Sequence, residues 1–219
     1  MRMNKINWQV WIIPLVNLLV IGLLMPLMPS QIPTHFDLYF TADQYGARTA
    51  ILMHPILLLG INVLLQALPL IDPLRKNYER FRSSQAVIRH ALNFFFIGFE
   101  LIHLSVIFEV SWISPAVVLQ VLFGLLFMIL GNIFPKIKHN YMIGIKVSWA
   151  LNDEENWTMT HRFGGKVWFA GGLLMAAAVV LPQNVRMGFM IALMLVIAFL
   201  PMVYSYGYFR KHQVRKVRN

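Results

Sequence analysis

Apolar segments about 20 residues long alternate with short polar segments along the chain. Six of them can be marked, at residues 8–28, 51–71, 90–110, 113–133, 167–181 and 187–208. A helix of about this length crosses the roughly 30 Å of hydrocarbon in a bilayer. The fifth segment is short, and we expect it to borrow residues 164–166 or to lie tilted in a locally thinned bilayer. The pattern predicts an all-α membrane protein with six transmembrane helices.

The composition favours a membrane protein over a large soluble domain. Of the 219 residues, 58% are hydrophobic and 13% are charged, whereas a soluble domain carries roughly a quarter charged residues. The chain has no cysteine, which excludes disulfides, thiolate metal sites and cysteine nucleophiles. The net charge of +10 comes from basic residues between the apolar segments. It therefore predicts contact with the membrane surface and no direct binding of nucleic acid.

The distribution of Lys and Arg predicts that both termini are cytoplasmic. In that orientation all 19 Lys and Arg except Arg48 and Arg186 fall on the inner side, as the positive-inside rule requires. Arg2 and Lys5 precede a first apolar segment that is longer than the hydrophobic region of a signal peptide. We therefore expect a first span that is retained.

Three regions follow from these spans. The N-terminal region, 1–71, has two spans and an extracellular loop at 29–50. The middle region, 72–112, has a mostly charged connector, which we expect to be solvated, and span three. The C-terminal region, 113–219, has spans four to six, a cytoplasmic loop at 134–166 and a basic tail.

The cytoplasmic loop is too rich in Ile, Met, Tyr and Trp for a free loop. We expect Asn152 to cap a short interfacial helix that ends at Gly164-Gly165, between spans four and five. Trp149 and Trp157 are suited to anchoring at headgroup depth. An amphipathic helix at the membrane surface explains this pattern, and a partner-binding surface built on that helix is compatible with it.

The loop also carries a long series of residues at fixed spacing. The series is Gly131, Asn132, Pro135, Lys136, Asn140, Gly144, Ile145, Trp149, Leu151, Trp157, Thr160, His161, Arg162, Gly164 and Gly165. It resembles the signature of the SdpI family of bacterial membrane immunity and signalling proteins. Lys146 stands where the family usually has Arg, and Lys cannot reproduce a bidentate guanidinium contact. These residues are candidates for partner binding.

The resemblance implies a function. It implies a multi-pass protein of the bacterial cell membrane that protects the producing cell against a secreted peptide toxin, a bacteriocin. It further implies that the toxin-bound protein holds a cytosolic autorepressor of the ArsR type at the membrane. On this interpretation the partners are the lipid bilayer, the toxin and the repressor, and the protein is not an enzyme.

The extracellular loop carries a second, shorter pattern. Pro33, His35 and Phe36, followed by Asp43 and Tyr45, resemble elements of an uncharacterised N-terminal domain that is often fused to this family. We expect these residues to be structural or to contact the toxin. A metal site formed by His35 and His54 with Asp37 or Asp43 is the alternative, on a weaker pattern.

Span three carries a stripe of polar residues, Asn93, Glu100 and His103, on one helix face. Ionisable groups in a membrane span usually face the protein interior. A Glu100–His103 hydrogen bond that fixes helix packing, a proton-coupled or ligand-sensing site, and a metal site of the Glu-x-x-His type are the three interpretations. We predict no metal and no cofactor. A small transporter or membrane-embedded enzyme that uses this stripe is the alternative function.

Overall fold

The structure, a computed structural model, describes residues 8–37, 40–110 and 114–218, without the side chains of residues 8, 9 and 213–218. Arg2, Lys5 and the predicted start of span four at Ile113 lie outside these residues. Within the described part, five helices are long and apolar enough to cross a membrane, and a shorter apolar helix covers Ile12–Leu27. The prediction of a mostly helical membrane protein is confirmed. The number of spans, their orientation and the three-region division stay predictions.

Seven α-helices and one two-stranded sheet make up the described part. The α-helices are α1 (Ile12–Leu24), α2 (Met53–Ile71), α3 (Arg82–Ile107), α4 (Pro115–Ile133), α5 (Ser148–Leu151), α6 (Glu154–Ala177) and α7 (Gln183–Arg218). The strands are β1 (Gln31–Phe36) and β2 (Ala42–Ala47). Short 3-10 helices cover Trp8–Trp11, Met25–Leu27, Arg48–Leu52, Arg75–Phe81, Phe134–Lys136 and Ala178–Val180.

The contacts divide the chain into two compact units. The first comprises Met1–Ala67 and Leu92–Leu119, and the second comprises Leu68–Ala91 and Gln120–Asn219. Each unit is described by itself below.

In the first unit, the loop that was predicted to be extracellular forms a β-hairpin that the sequence did not predict. β1 and β2 pair in antiparallel fashion, with register irregularities around His35. Ile32 on β1 is fully buried and belongs to a small core with Ile21, Ile51 and Ile107. The alternation of apolar and polar residues that predicts a strand is not visible in β1, because its one strongly apolar inward residue lies next to Pro33.

In the second unit, the predicted separate interfacial helix is wrong. Its cap is Asp153 rather than Asn152, because the Asp153 carboxylate accepts from the N–H groups of Glu155 (2.8 Å) and Asn156 (3.1 Å). From that cap, α6 runs without a break through Gly164-Gly165 to Ala177. The predicted cytoplasmic helix and the predicted short fifth span are therefore one helix.

Glycines on α4 and α6 allow the two helix backbones to touch. A Cβ placed on Gly131 would lie 2.7 Å from the carbonyl oxygen of Gly165, and one on Gly165 would lie 2.6 Å from that of Gly131. Gly124 and Gly172 make the same kind of contact two helical turns away. Gly164-Gly165 are thus needed for close packing, as small residues often are between membrane helices, and not for ending a helix.

A tryptophan compensates for a proline between α6 and α7. Pro201 lies inside α7 and has no N–H to offer the carbonyl of Ile197 four residues before it. The indole N–H of Trp168 on α6 donates to that carbonyl at 3.1 Å. The contact satisfies a backbone acceptor that would otherwise be buried without a partner.

The connector between α2 and α3 is not a solvated linker, which corrects the expectation above. Asp72, Tyr78, Phe81 and Arg89 are all buried. Its charged residues at other positions are exposed, and these dominated the sequence pattern. Of the buried ones, Asp72 and Tyr78 bond to the loop at residues 137–147, hereafter the signature loop.

Candidate functional site

Asn140 organises the first half of the loop. It is 0% exposed, and its amide donates to the carbonyls of Lys138 and Ile143, both at 2.9 Å. Its side-chain oxygen accepts from the N–H groups of Met142 (2.9 Å) and Ile143 (2.6 Å). One side chain thus bonds both ends of a tight turn, which no apolar or ionised residue of this size does.

The connector fixes this turn from outside. Asp72 is 2% exposed and accepts from the Tyr78 hydroxyl and from the N–H of Tyr141, each at 2.9 Å. Asn77 donates to the carbonyl of His139 at 2.8 Å. Sequence reasoning missed these residues, although the Asp72-Pro73 turn at the end of span two was a usable signal.

His161 holds the second half of the loop against α6. Its Nδ1 lies 2.8 Å from the carbonyl of Trp157, and its Nε2 accepts from the N–H of Ile145 at 3.0 Å. A carbonyl only accepts and a backbone N–H only donates, so these partners assign a neutral ring with its proton on Nδ1. Both ring nitrogens are hydrogen-bonded to the backbone. His161 therefore has a structural role, which is to hold the loop against α6, rather than that of an acid, base or metal ligand.

Gly144 leaves the space that His161 occupies. Its φ is +129°, a backbone conformation that L side chains rarely adopt. A Cβ on Gly144 would overlap Nε2 of His161 and would lie 3.1 Å from the Trp157 ring. The signature glycine and histidine are thus two halves of one contact.

Trp157 is a core residue, and its predicted role as a headgroup anchor is wrong. It is 1% exposed, and its indole N–H donates to the carbonyl of Ile137 at 3.0 Å. Its ring stacks on His161 with 4.0 Å between ring centroids. Trp149, in contrast, is half-buried and packs against Tyr206 of α7 at 5.2 Å between centroids.

A buried polar cluster joins α6 to α7 next to this core. The side-chain oxygen of Asn156 accepts from the hydroxyls of Thr160 and Ser205, each at 2.8 Å. The Asn156 amide donates to the carbonyl of Ser205 at 3.2 Å. Sequence reasoning did not pair Asn156 with Ser205, because the two residues lie 49 positions apart in the chain.

Most of the predicted signature residues fall into two groups, whereas Gly144 and Trp149 are half-buried. The interior group forms the packed core of the loop and its helix contacts: Asn140, Trp157, His161, Gly164 and Gly165. The exposed group presents side chains to the surroundings: Asn132, Pro135, Lys146 and Arg162. Arg162 and Lys166 lie four residues apart and so share a face of α6. The exposed group can contact a partner without unfolding the loop.

In the first unit, the predicted toxin-contact residues lie on the hairpin. His35 and Asp43 form an exposed contact of 2.6 Å, and Phe36 stacks on Phe40 with 4.6 Å between centroids. Tyr45 is 63% exposed, whereas Pro33 is buried. Whether any of them contacts a toxin stays a prediction.

The polar stripe of α3 is divided among three helix contacts. Glu100 accepts from the Asn17 amide of α1 at 2.9 Å, so the predicted Glu100–His103 bond is wrong. His103 instead contacts His54 of α2 at 2.8 Å and the carbonyl of Pro33 at 2.7 Å. These partners lie on other elements, which explains why sequence spacing along α3 alone misassigned the pair.

The third contact of the stripe joins two amides. Asn93 accepts from the Asn62 amide of α2 at 2.7 Å, and both are buried. Within the described residues, no group of three or more His, Asp or Glu is placed to hold a metal ion. The stripe thus connects α3 to α1, α2 and β1 through hydrogen bonds.

Two family models match the chain. The model of the SdpI/YfhL protein family matches residues 136–205, and that of a domain of unknown function, DUF1648, matches residues 12–59. The first covers most of the loop core and the α6–α7 contacts, and the second covers α1 and the hairpin. The resemblance predicted from the sequence is confirmed.

One relative of known family also matches part of the chain. The chain is 30% identical over 88 residues to the immunity protein SdpI of Bacillus subtilis (strain 168), which is 40% of this chain and 42% of that protein. The match thus covers less than half of either protein. No solved structure shows a significant match to the chain.

Proposed function

We propose that this protein is a membrane immunity protein that protects its cell against a secreted peptide toxin. The observation that supports this most is the fit between the family match and the packing of the loop. Residues 136–205 match the SdpI/YfhL model, and the same segment builds the pinned turn around Asn140, Gly144 and His161. We further propose six spans, cytoplasmic termini, and an extracellular hairpin that meets the toxin.

The exposed signature residues are proposed to signal to the cytosol. Arg162 has no side-chain hydrogen bond or ion pair within the described part of the chain, and it projects from a helix that the loop core holds in place. A guanidinium in this setting suits a carboxylate on a protein partner. In this proposal it holds a cytosolic autorepressor at the membrane when toxin is bound.

Arg162→Ala is expected to weaken repressor capture about tenfold while the protein stays folded, since truncating one exposed anchor costs of the order of 1 kcal/mol or more. Capture is measured as the fraction of ArsR-type repressor that cosediments with membranes from toxin-treated cells. Lys166→Ala is the matched control, because it removes one positive charge from the same helix face. His161→Ala, in comparison, should lower the thermal stability.

Unchanged toxin tolerance together with unchanged repressor capture in Arg162→Ala would show that this face is not the partner site. Equal losses in Arg162→Ala and Lys166→Ala would instead indicate a general attraction to anionic lipid. Membrane abundance of every variant is determined by immunoblot, so that a loss of protein is not mistaken for a loss of binding.

Glu100→Gln is expected to leave toxin protection intact, because glutamine still accepts from the Asn17 amide and fits the same space. The change in thermal stability in detergent should be small. Protection is measured as survival of an expressing strain during toxin challenge. Complete loss of protection at unchanged abundance and stability would instead favour a transporter or enzyme that works through the Asn93, Glu100 and His103 stripe.

A further inference from the structure

On the outer edge of β2, some backbone N–H and C=O groups point away from β1. The N–H of Arg48 donates to the carbonyl of Ser30 at 3.1 Å, so these two residues form a hydrogen-bonded pair. Along an antiparallel ladder such pairs alternate with pairs whose N–H and C=O point outward. Counting back along the register, Ala47 and Tyr45 are at outward positions of β2.

The corresponding edge of β1 is already engaged. Pro33 has no N–H, and its carbonyl accepts from His103 of α3 at 2.7 Å. Its neighbour Ile32 is fully buried in the core. This edge therefore faces the helices of its own unit.

Between Tyr45 and Ala47 the edge of β2 has no Lys, Pro or bulge, because the register irregularities lie on the turn side of Tyr45. Natural edge strands are commonly blocked by Lys, by Pro or by bulges that twist the edge away. β2 consists of Ala, Asp, Gln, Tyr, Gly and Ala, and most of it is exposed. The sheet has two strands in the described residues, so the outward groups of Tyr45 and Ala47 have no third strand beside them there.

We propose that the outer edge of β2 binds an extended segment of the peptide toxin as a third strand, an inference that rests on the proposed function. Backbone hydrogen bonds to Tyr45 and Ala47 supply affinity, and the Tyr45 ring covers one side chain of the segment. Asp43 lies on β2 two residues before Tyr45 and is exposed, with one carboxylate oxygen 2.6 Å from the His35 ring, so the segment that fits carries Lys or Arg near Asp43.

Ala47→Pro tests this mode of binding. Ala47 has a φ of −58°, which lies in the range that proline requires, so the substitution removes the outward N–H without bending the strand. We expect the toxin concentration that kills half of the cells to fall about tenfold, the effect of one lost hydrogen bond at the upper end of its usual range. The full chain is expressed in a sensitive strain, and the probe is the synthetic toxin that Bacillus subtilis SdpI counters.

Gln31→Pro is the matched control, because it places proline at an outward position of the opposite edge. Protection by the wild type and Gln31→Pro but not by Ala47→Pro supports the proposal. Equal protection by all three proteins would show that the β2 edge does not bind the toxin, and so would loss of protection in both proline variants. Either result leaves the proposed immunity function standing. A wild type that gives no protection overturns both. Crosslinked dimers that Ala47→Pro abolishes at unchanged protection would identify a second copy as the occupant, and would also overturn the proposal.

Discussion

Gly144→Ala is expected to remove toxin protection by unfolding the signature loop. The new methyl group would overlap Nε2 of His161, and alanine would have to adopt a φ of +129°. Backbone strain and overpacking together should cost about 3 kcal/mol of folding free energy. For a chain of this size that lowers the Tm by roughly 6–12 °C. Thermal unfolding of the detergent-purified protein, followed by circular dichroism, measures the shift.

Gly207→Ala on α7 is the control for this variant, because its Cβ would have no neighbour within 4 Å. It should unfold at the same temperature as the wild type or slightly higher, since alanine favours a helix over glycine. If Gly144→Ala kept both the wild-type Tm and full protection, the proposed contact between the signature glycine and histidine would be wrong.

Gly165→Ala is expected to separate α4 from α6 and to lower the amount of folded protein in the membrane. Its Cβ would lie 2.6 Å from the carbonyl oxygen of Gly131 and 2.9 Å from Cδ of Pro135. Neither a backbone carbonyl nor a proline ring moves aside as a flexible side chain does, so the helices have to move apart. We expect a cost of about 2 kcal/mol or more, measured as a lower Tm and as aggregation in size-exclusion chromatography.

The matched control for Gly165→Ala is Gly60→Ala on α2, where a Cβ has open space. It makes the same chemical change in an apolar helix and should leave Tm and yield unchanged. A Gly165→Ala protein as stable as this control would contradict the close approach of the two backbones.

The sequence predicted the helical membrane class because that class depends on local properties, namely the length and the charge of each segment. It misjudged features that depend on distant residues. Gly164-Gly165 looked like a helix end, since glycine commonly follows a helix. Their roles became visible only with their neighbours in the fold, which are Ile145 and Pro201 for Gly164 and Gly131 of α4 for Gly165.

The signature was found from its spacing, but the role of each residue was not. Trp149 and Trp157 were both expected to lie at headgroup depth. Trp157 is buried in the core, whereas Trp149 packs against α7. Glu100 and His103 are three residues apart on one helix, a spacing that allows a hydrogen bond between them. Their partners nevertheless come from α1, α2 and β1. Such choices are made by tertiary contacts, which a pattern of one helix does not contain.

The unbroken course of α6 gives the second unit a mechanical property. From Glu154 to Ala177 the helix is about 36 Å long, with Trp157 and His161 near one end and Met175 near the other. A continuous, hydrogen-bonded helix has no hinge along its length. Arg162 therefore changes position only together with the whole of α6, including the end at Met175.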